Sequence, residues 1–389
     1  MALIRKRKLT DQQARRIEKQ QKSQQNLDDT RLLDGMVVAN YGKQLEVQAT
    51  SLPKQMPEKP TVALDEPEPF WQPIALHSVW RCHTRTNLDL IATGDKVRWI
   101  ADPNTGLGRI EAVYDRHNII TRPDRYHKLK PIAANVDILA IVFAPLPAPS
   151  AQLIDRYLVA CHVADITPLL VLNKADLLTG LFQDGLVESE GEAKDNHSAL
   201  QLLKDYEKLG YQTLITQAEI FDGTADASDT ANDINSNSPA LTAQLKQVVD
   251  HKTVIFAGQS GVGKSSLVNQ LLPNVTQSVN EISTISQLGQ HTTTTSKLLP
   301  FNPNDLSQGA IIDTPGIREY GLWHLTKDQI LAGFIELAPL SGLCRFRDCK
   351  HTQNTPECAM WQAVARGEVL PRRVENMVSL QTESQTDDY

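Results

Sequence analysis

The chain changes its hydrophobic rhythm twice. Residues 36–39, 45–49, 95–100 and 109–114 are short apolar-rich runs set between Gly and Asn turns, the pattern of half-buried strands. Prolines at 53, 57, 60, 67, 69 and 73 interrupt them and mark a long extended loop. Five or so short strands in residues 34–125 predict a small barrel of OB type. From residue 131 the runs lengthen. Residues 136–143, 166–172, 211–215, 253–257 and 310–313 are strand-length apolar segments, and residues 152–163, 200–209, 241–249 and 264–272 have helical spacing. Apolar strands alternating with amphipathic helices predict a parallel sheet with helices on both faces. Residues 180–197 and 219–238 are polar and read as surface insertions. After residue 316 the strands stop. Residues 325–337, 360–367 and 373–380 have helical spacing, residues 381–389 read as a tail, and residues 1–31 read as a polar, Lys- and Gln-rich arm.

Composition narrows the class. The 389 residues suit two or three domains, and 41% hydrophobic content is ordinary for a globular protein. No apolar run reaches membrane-spanning length, and the basic N-terminus has no apolar core, so neither a span nor a secretory signal is expected. Three of the five cysteines, Cys344, Cys349 and Cys358, crowd together, which argues for metal binding in a reducing cytoplasm over a disulfide framework. The net charge of −7 conceals an asymmetry. Residues 182–250 hold 13 acids and four lysines, a balance of −9, so the rest of the chain stands at +2. Basic residues gather at 5–8, at Arg15 and Arg16, and around Arg345, Arg347, Lys350, Arg366, Arg372 and Arg373, a distribution that permits a polyanionic partner.

Four short motifs carry chemistry. Gly258-Gln259-Ser260-Gly261-Val262-Gly263-Lys264-Ser265-Ser266 follows a predicted strand and opens a predicted helix, the context a phosphate-binding loop requires. Backbone N–H groups there would cradle phosphates, Lys264 would reach the β- and γ-phosphates, and the Ser265 hydroxyl would ligate Mg²⁺. Asn173-Lys174-Ala175-Asp176 ends a predicted buried strand, where ligand sites of α/β sheets form. The Asp176 carboxylate would accept from both N1–H and the 2-amino group of guanine, a donor pair adenine lacks. Asn173 would brace the loop, and the Lys174 stem would lie along the base. Asp313-Thr-Pro-Gly316 would hold Mg²⁺ through water at Asp313 and bond the γ-phosphate through the Gly316 N–H. Between the two lies Gly289-Gln-His291 followed by four threonines, where a switch threonine is expected; residues 292–295 leave its register open. Ile317 occupies the position of the usual water-orienting Gln, so His291 is the nearest polar candidate for that task. The order is unusual. Asn173 stands 85 residues before Gly258, whereas the guanine-reading motif ordinarily follows the phosphate loop, and the inversion points to a circularly permuted GTPase domain.

Cys344, Cys349, His351 and Cys358 offer three thiolates and one imidazole, a closed tetrahedral set suited to one structural Zn²⁺. Arg345, Arg347 and Lys350 are interleaved with these ligands, placing positive charge on a rigid knuckle.

With NKAD, GQSGVGKSS, GQHTTT, DTPG and the Cys-Arg-Phe-Arg-Asp-Cys cluster in this order, the chain resembles the RsgA/YjeQ family of small-ribosomal-subunit-dependent GTPases over residues 34–375. The resemblance implies an OB-fold barrel, a circularly permuted P-loop GTPase domain and a small helical zinc-binding domain. It also implies hydrolysis of Mg²⁺-bound GTP, stimulated by the small ribosomal subunit and its rRNA, during late maturation of that subunit. His291 would be the catalytic histidine and Thr293 the switch threonine that meets Mg²⁺. The implied organisation is a basic arm over residues 1–33, an RNA-binding barrel over 34–128, the GTPase domain over 129–324 and the zinc domain with a C-terminal helix over 325–389. A cytoplasmic monomer free of membranes is expected. The alternative is a nucleotide-gated assembly factor acting on another ribosomal or RNA target. Two departures stand out: six residues separate His351 from Cys358 where five are expected, and Thr216-Gln217-Ala218 replaces the Ser-Ser or Ser-Ala expected in the second base-contacting loop.

Overall fold

The computed structural model describes residues 30–42, 44–60, 68–85, 88, 90–123, 129–181, 192–217, 238–272, 295–314, 322 and 324–386. The chain forms two compact units. The first comprises residues up to Val37, Lys43–Asp89 and Lys96–Asp115; the second comprises Val38–Gly42, Leu90–Asp95 and Arg116–Tyr389.

The first unit is a closed barrel. Strands β1 (Leu32–Asn40), β2 (Leu45–Ala49), β3 (Val79–Thr84), β5 (Leu107–Val113) and β4 (Lys96–Asp102) neighbour one another in that order, and β4 returns to pair with β1. β3 and β5 run parallel, and the β2–β3, β4–β5 and β1–β4 pairs run antiparallel. Alternation along the strands sends Leu33, Val37, Val47, Trp80, Cys82, Val97, Trp99 and Ile110 inward. Trp80 and Trp99 meet at a centroid distance of 5.9 Å. Two glycines make room for them. A Cβ on Gly35 would lie 2.5 Å from Val47 Cγ1 and 2.6 Å from Trp99 Nε1, and one on Gly108 would lie 2.5 Å from Cys82 Sγ. The OB-type barrel is as expected, but β3 had gone unpredicted although Val79–Thr84 alternates buried and exposed positions.

In the second unit the strand order is β10 (Gln212–Ile215), β9 (Thr167–Leu172), β8 (Ile138–Phe143), β11 (Thr253–Ala257), β13 (Ala310–Asp313) and β12 (Ser296–Pro300). The first five are parallel. All six residues of β8 are buried, as a strand covered on both faces requires. Helices α1 (Ala151–Ala164), α2 (Glu192–Lys208), α3 (Ser238–Val249) and α4 (Lys264–Leu271) connect the strands. Leu245, Val249, Leu267 and Leu271 pack with Val142, Val171, Val254 and Ile311 in one core. The sheet is mixed, not wholly parallel, because β12 runs antiparallel to β13; the polar threonine run before it had masked that strand. Residues 39 and 40 at the end of β1 pair with β12, and a separate hairpin, β6 (Ile119–Pro123) with β7 (Leu129–Ala134), was also not foreseen.

The C-terminal segment carries α5 (Lys327–Ala332), α6 (Ala359–Ala365) and α7 (Pro371–Thr386). The helix expected over 325–337 is shorter. Thr326 and Gln329 form a reciprocal capping box at its start, and it stops at Gly333, where a Cβ would lie 2.8 Å from Val159 Cα of α1. The expected tail from 381 is instead the end of α7, held by Gln381 Nε2 donating to the Lys327 carbonyl at 3.0 Å and by Arg156 reaching Glu383 at 2.5 Å. α2 likewise starts at Glu192, inside the stretch read as an insertion.

Candidate functional site

The phosphate loop and the NKAD segment leave the C-terminal ends of β11 and β9, with β8 between them, so two motifs far apart in sequence converge at one edge of the sheet. Asn173 is fully buried and joins them. Its Nδ2 donates to the Val262 carbonyl at 2.9 Å, its Oδ1 accepts from Thr216 Oγ1 at 3.1 Å, and its backbone N–H donates to the Phe143 carbonyl at 2.8 Å. Gly263 permits this contact: its φ is +90°, and a Cβ there would sit 2.3 Å from Asn173 Nδ2. Gly258 is equally constrained, with φ +134° and a notional Cβ 2.0 Å from the Val142 carbonyl oxygen.

Thr216 closes the other side. It is fully buried, its N–H donates to the Leu172 carbonyl at 2.8 Å, and its own carbonyl accepts from the Ala175 N–H at 3.1 Å. The Thr-Gln-Ala departure therefore keeps a hydroxyl against Asn173, a role the sequence reading had missed. Lys174 adopts φ +62° and donates from Nζ to the Leu146 carbonyl at 2.9 Å, drawing in the loop after β8 that sequence reading had not assigned to the site. Ala175 and Asp176 open a 3-10 turn, Ala175–Leu181.

Lys264 folds over its own loop, donating to the Gly258 and Gln259 carbonyls at 2.9 and 2.5 Å. A phosphate would compete for this ammonium with two backbone oxygens. Ser260, Gly261 and Ser265 are exposed, and Ser266 is half-buried beside Ser265 at the start of α4. Asp313 ends β13 opposite Lys297 of β12, and Thr314 follows it, buried. His291, Thr293, Gly316 and Ile317 lie outside the described residues.

Cys344 Sγ, Cys349 Sγ, His351 Nδ1 and Cys358 Sγ lie within 4.8 Å of one another. His351 Nδ1 is 3.6, 3.5 and 3.6 Å from the sulfurs of Cys344, Cys349 and Cys358, and Cys344 and Cys358 sulfurs are 3.9 Å apart. A tetrahedron with Zn–S of about 2.3 Å and Zn–N of about 2.1 Å has S–N edges of about 3.6 Å and S–S edges of about 3.8 Å, so these distances fit zinc. Burial lowers the His351 pKa, leaving the neutral imidazole that a metal needs, and pushes the Cys349 thiol up to about 12. The Ala359 N–H donates to Cys344 Sγ at 3.4 Å, and the Trp361 indole donates to the His351 carbonyl at 2.8 Å, fixing the knuckle to α6.

The basic cluster near these ligands is less available than its sequence implies. Arg373 is 1% exposed, bonded to Asp155 and, at 2.5 Å, to Glu336. Arg372 pairs with Asp205, Arg366 with Glu368, and Arg345 with Glu357. Arg372 and Arg373 are thus internal ties between α7 and the GTPase helices, not a surface for an anion. Arg347 and Lys350 remain exposed.

Residues 113–323 match the family model for RsgA GTPase. The chain is 37% identical to a small ribosomal subunit biogenesis GTPase RsgA of Proteus mirabilis, covering 95% of this chain and 94% of the relative. It is 41% identical to the protein of that name in Ectopseudomonas mendocina, over 91% and 87%. A crystal structure of YjeQ from Thermotoga maritima superposes with a TM-score of 0.59 at 25% identity, covering 91% of this chain and 98% of that one. YloQ, described as a circularly permuted GTPase, shares the fold with a TM-score of 0.58 at 23% identity, covering 93% and 98%. With its two nucleotide motifs joined through Asn173 in permuted order, the chain belongs to the RsgA family of GTP-hydrolysing enzymes of ribosome biogenesis.

Proposed function

We propose that this GTPase binds the small ribosomal subunit and hydrolyses GTP to GDP and phosphate during late maturation of that subunit, which stimulates the reaction. The observation that carries the nucleotide part is the Asn173 junction, because it fixes the guanine-reading loop to the phosphate loop at Val262. The names of the relatives support the ribosomal part.

In this reading Asp176 selects guanine, with Asn173 and Thr216 holding its loop and Lys174 lying along the base. Backbone N–H groups of residues 258–266 bind the phosphates, and Lys264 leaves the Gly258 and Gln259 carbonyls to meet the β- and γ-phosphates. The Ser265 hydroxyl and a switch threonine, Thr293, would hold Mg²⁺, with Asp313 reaching it through water, and the ion would supply positive charge against the phosphates. The Gly316 N–H bonds the γ-phosphate, and His291 orients the attacking water where Ile317 leaves no polar group. Cys344, Cys349, His351 and Cys358 would hold one Zn²⁺, which staples the knuckle and leaves no position open for catalysis.

Residues 1–33 act as a basic arm, 34–128 as an RNA-binding OB barrel, 129–324 as the GTPase domain and 325–389 as the zinc domain, in a cytoplasmic monomer. No helix of the described residues is long and apolar enough to cross a membrane. Single-turnover GTP hydrolysis is measured alone, with purified small subunits and with large subunits. Stimulation by small subunits alone is expected. An unchanged rate removes the subunit-dependent reading, and stimulation by large subunits alone favours an assembly factor for another target.

A further inference from the structure

We infer that Thr93 is a positioning residue for GTP hydrolysis: through the backbone of Ser296 it holds the strand by which switch I leaves the nucleotide site. The inference rests on the reading of residues 292–295 as switch I. Thr93 is fully buried, and its Oγ1 donates to the Ser296 carbonyl at 3.0 Å across 203 residues of sequence. Ser296 is the first residue of β12, immediately after the four threonines.

Among the described residues β12 is the last strand of the GTPase sheet, and residues 39 and 40 of β1 alone extend the ladder beyond it, Ala39 opposite Lys297 and Asn40 opposite Ser296. On its other side Lys297 faces Asp313. One rung, Ala39–Lys297–Asp313, thus runs from the end of β1 to the aspartate expected near Mg²⁺. An end strand held by so short a ladder frays from its terminus, and here that terminus is the exit of switch I.

The group holding Thr93 is rigid. Asp95 is fully buried and accepts from the Ala92 N–H at 2.7 Å and from Arg116 Nε and Nη2 at 2.6 and 2.7 Å. Arg116 also donates to the Leu90 carbonyl at 2.8 Å, and Asn40 Nδ2 donates to the Ile91 carbonyl at 2.7 Å. The Thr93 carbonyl accepts from the Ala134 N–H at 2.9 Å, and a Cβ on Gly94 would lie 2.3 Å from the Ala134 carbonyl oxygen. A turn fastened at each of these points can hold Ser296 in place, with Asn40 bound both to the turn and beside Ser296 in the ladder.

In that reading switch I meets the γ-phosphate, so a brace on its exit acts on the GTP form and not on the GDP form. The test compares full-length wild type, Thr93→Val, Thr93→Ser and a variant with all four threonines of 292–295 changed to alanine. Single-turnover hydrolysis is measured, with affinities for fluorescent GDP and for a non-hydrolysable GTP analogue. Valine keeps the shape and removes the donor. It is expected to lower the hydrolysis rate and the analogue affinity roughly three- to tenfold, as loss of one buried hydrogen bond would, while GDP affinity holds. Serine restores both. Wild-type hydrolysis in Thr93→Val, or an equal fall in GDP and analogue affinity, overturns the inference. If the quadruple variant is impaired and Thr93→Val is not, the brace alone fails; if the quadruple variant hydrolyses at the wild-type rate, the switch reading fails and takes the brace with it.

Discussion

Asn173 ties two loops of the candidate site together with a single side chain. It spends neither of its polar ends on solvent: one holds Val262 in the phosphate loop and the other meets Thr216. Replacing Thr216 by valine keeps the volume and leaves Asn173 Oδ1 without that donor. The expected cost is about 1 kcal/mol, seen as roughly fivefold weaker binding of both GDP and GTP analogues by fluorescence titration. An equal affinity in Thr216→Val would show that the Val262 contact alone braces the loop. His291 makes a contrasting prediction. His291→Ala should leave guanine-nucleotide affinity nearly intact and lower the turnover number by about a hundredfold, the usual scale for a group that orients or deprotonates water. Turnover at the wild-type level would remove the assignment.

At the scale of elements, α7 is tied to α1 and α2 by buried charge. Asp155 accepts from Arg373, from Tyr206 and, at 2.6 Å, from Asn376 Nδ2. Burial pushes the Asp155 carboxyl up from its ordinary range and Arg373 draws it back, while Glu336 and Asp155 hold the Arg373 guanidinium above its usual value against the opposing effect of burial. Such a cluster contributes little net stability, yet removing one partner strands the others. Arg373→Met removes the cation bonded to both Asp155 and Glu336 and should destabilise the protein by about 3–5 kcal/mol in urea unfolding. A shift below about 1 kcal/mol would mean that water reaches the two carboxylates. The helical spacing of residues 373–380 revealed α7, but nothing in it distinguished a buried arginine from a surface one, because arginine reads as polar wherever it sits.

For the molecule as a whole, the Cys344–Cys358 knuckle is the candidate for a fold that depends on an ion. With the His351 nitrogen 3.5–3.6 Å from all three sulfurs and two of the sulfurs 3.9 Å apart, the purified protein should carry one zinc per chain by elemental analysis. Cys358→Ser should lose that zinc and lower the unfolding midpoint of the C-terminal segment. Since the Ala359 N–H bonds a ligand sulfur and Trp361 bonds the His351 carbonyl, the start of α6 should lose hydrogen-exchange protection together with the knuckle. Full zinc occupancy in Cys358→Ser would show that the Cys358 thiolate is not a ligand.

Spacing along the chain pointed to the nucleotide chemistry, the permuted order, the barrel, the α/β sheet and the candidate metal donors. Apart from the order of the motifs, each of these rests on residues close together in the chain, where spacing dictates which groups share a loop, a strand face or a coordination sphere. Only the tertiary structure decided that Thr216 braces Asn173, that Lys174 reaches Leu146, that Arg373 is internal and that Thr93 holds Ser296. Those contacts join residues 43, 28, 218 and 203 positions apart. They are polar contacts between distant parts of the chain, all buried except that of Lys174, and such contacts leave no periodic trace: a lone threonine or arginine looks the same in sequence whether it faces water or completes a hydrogen bond in the core.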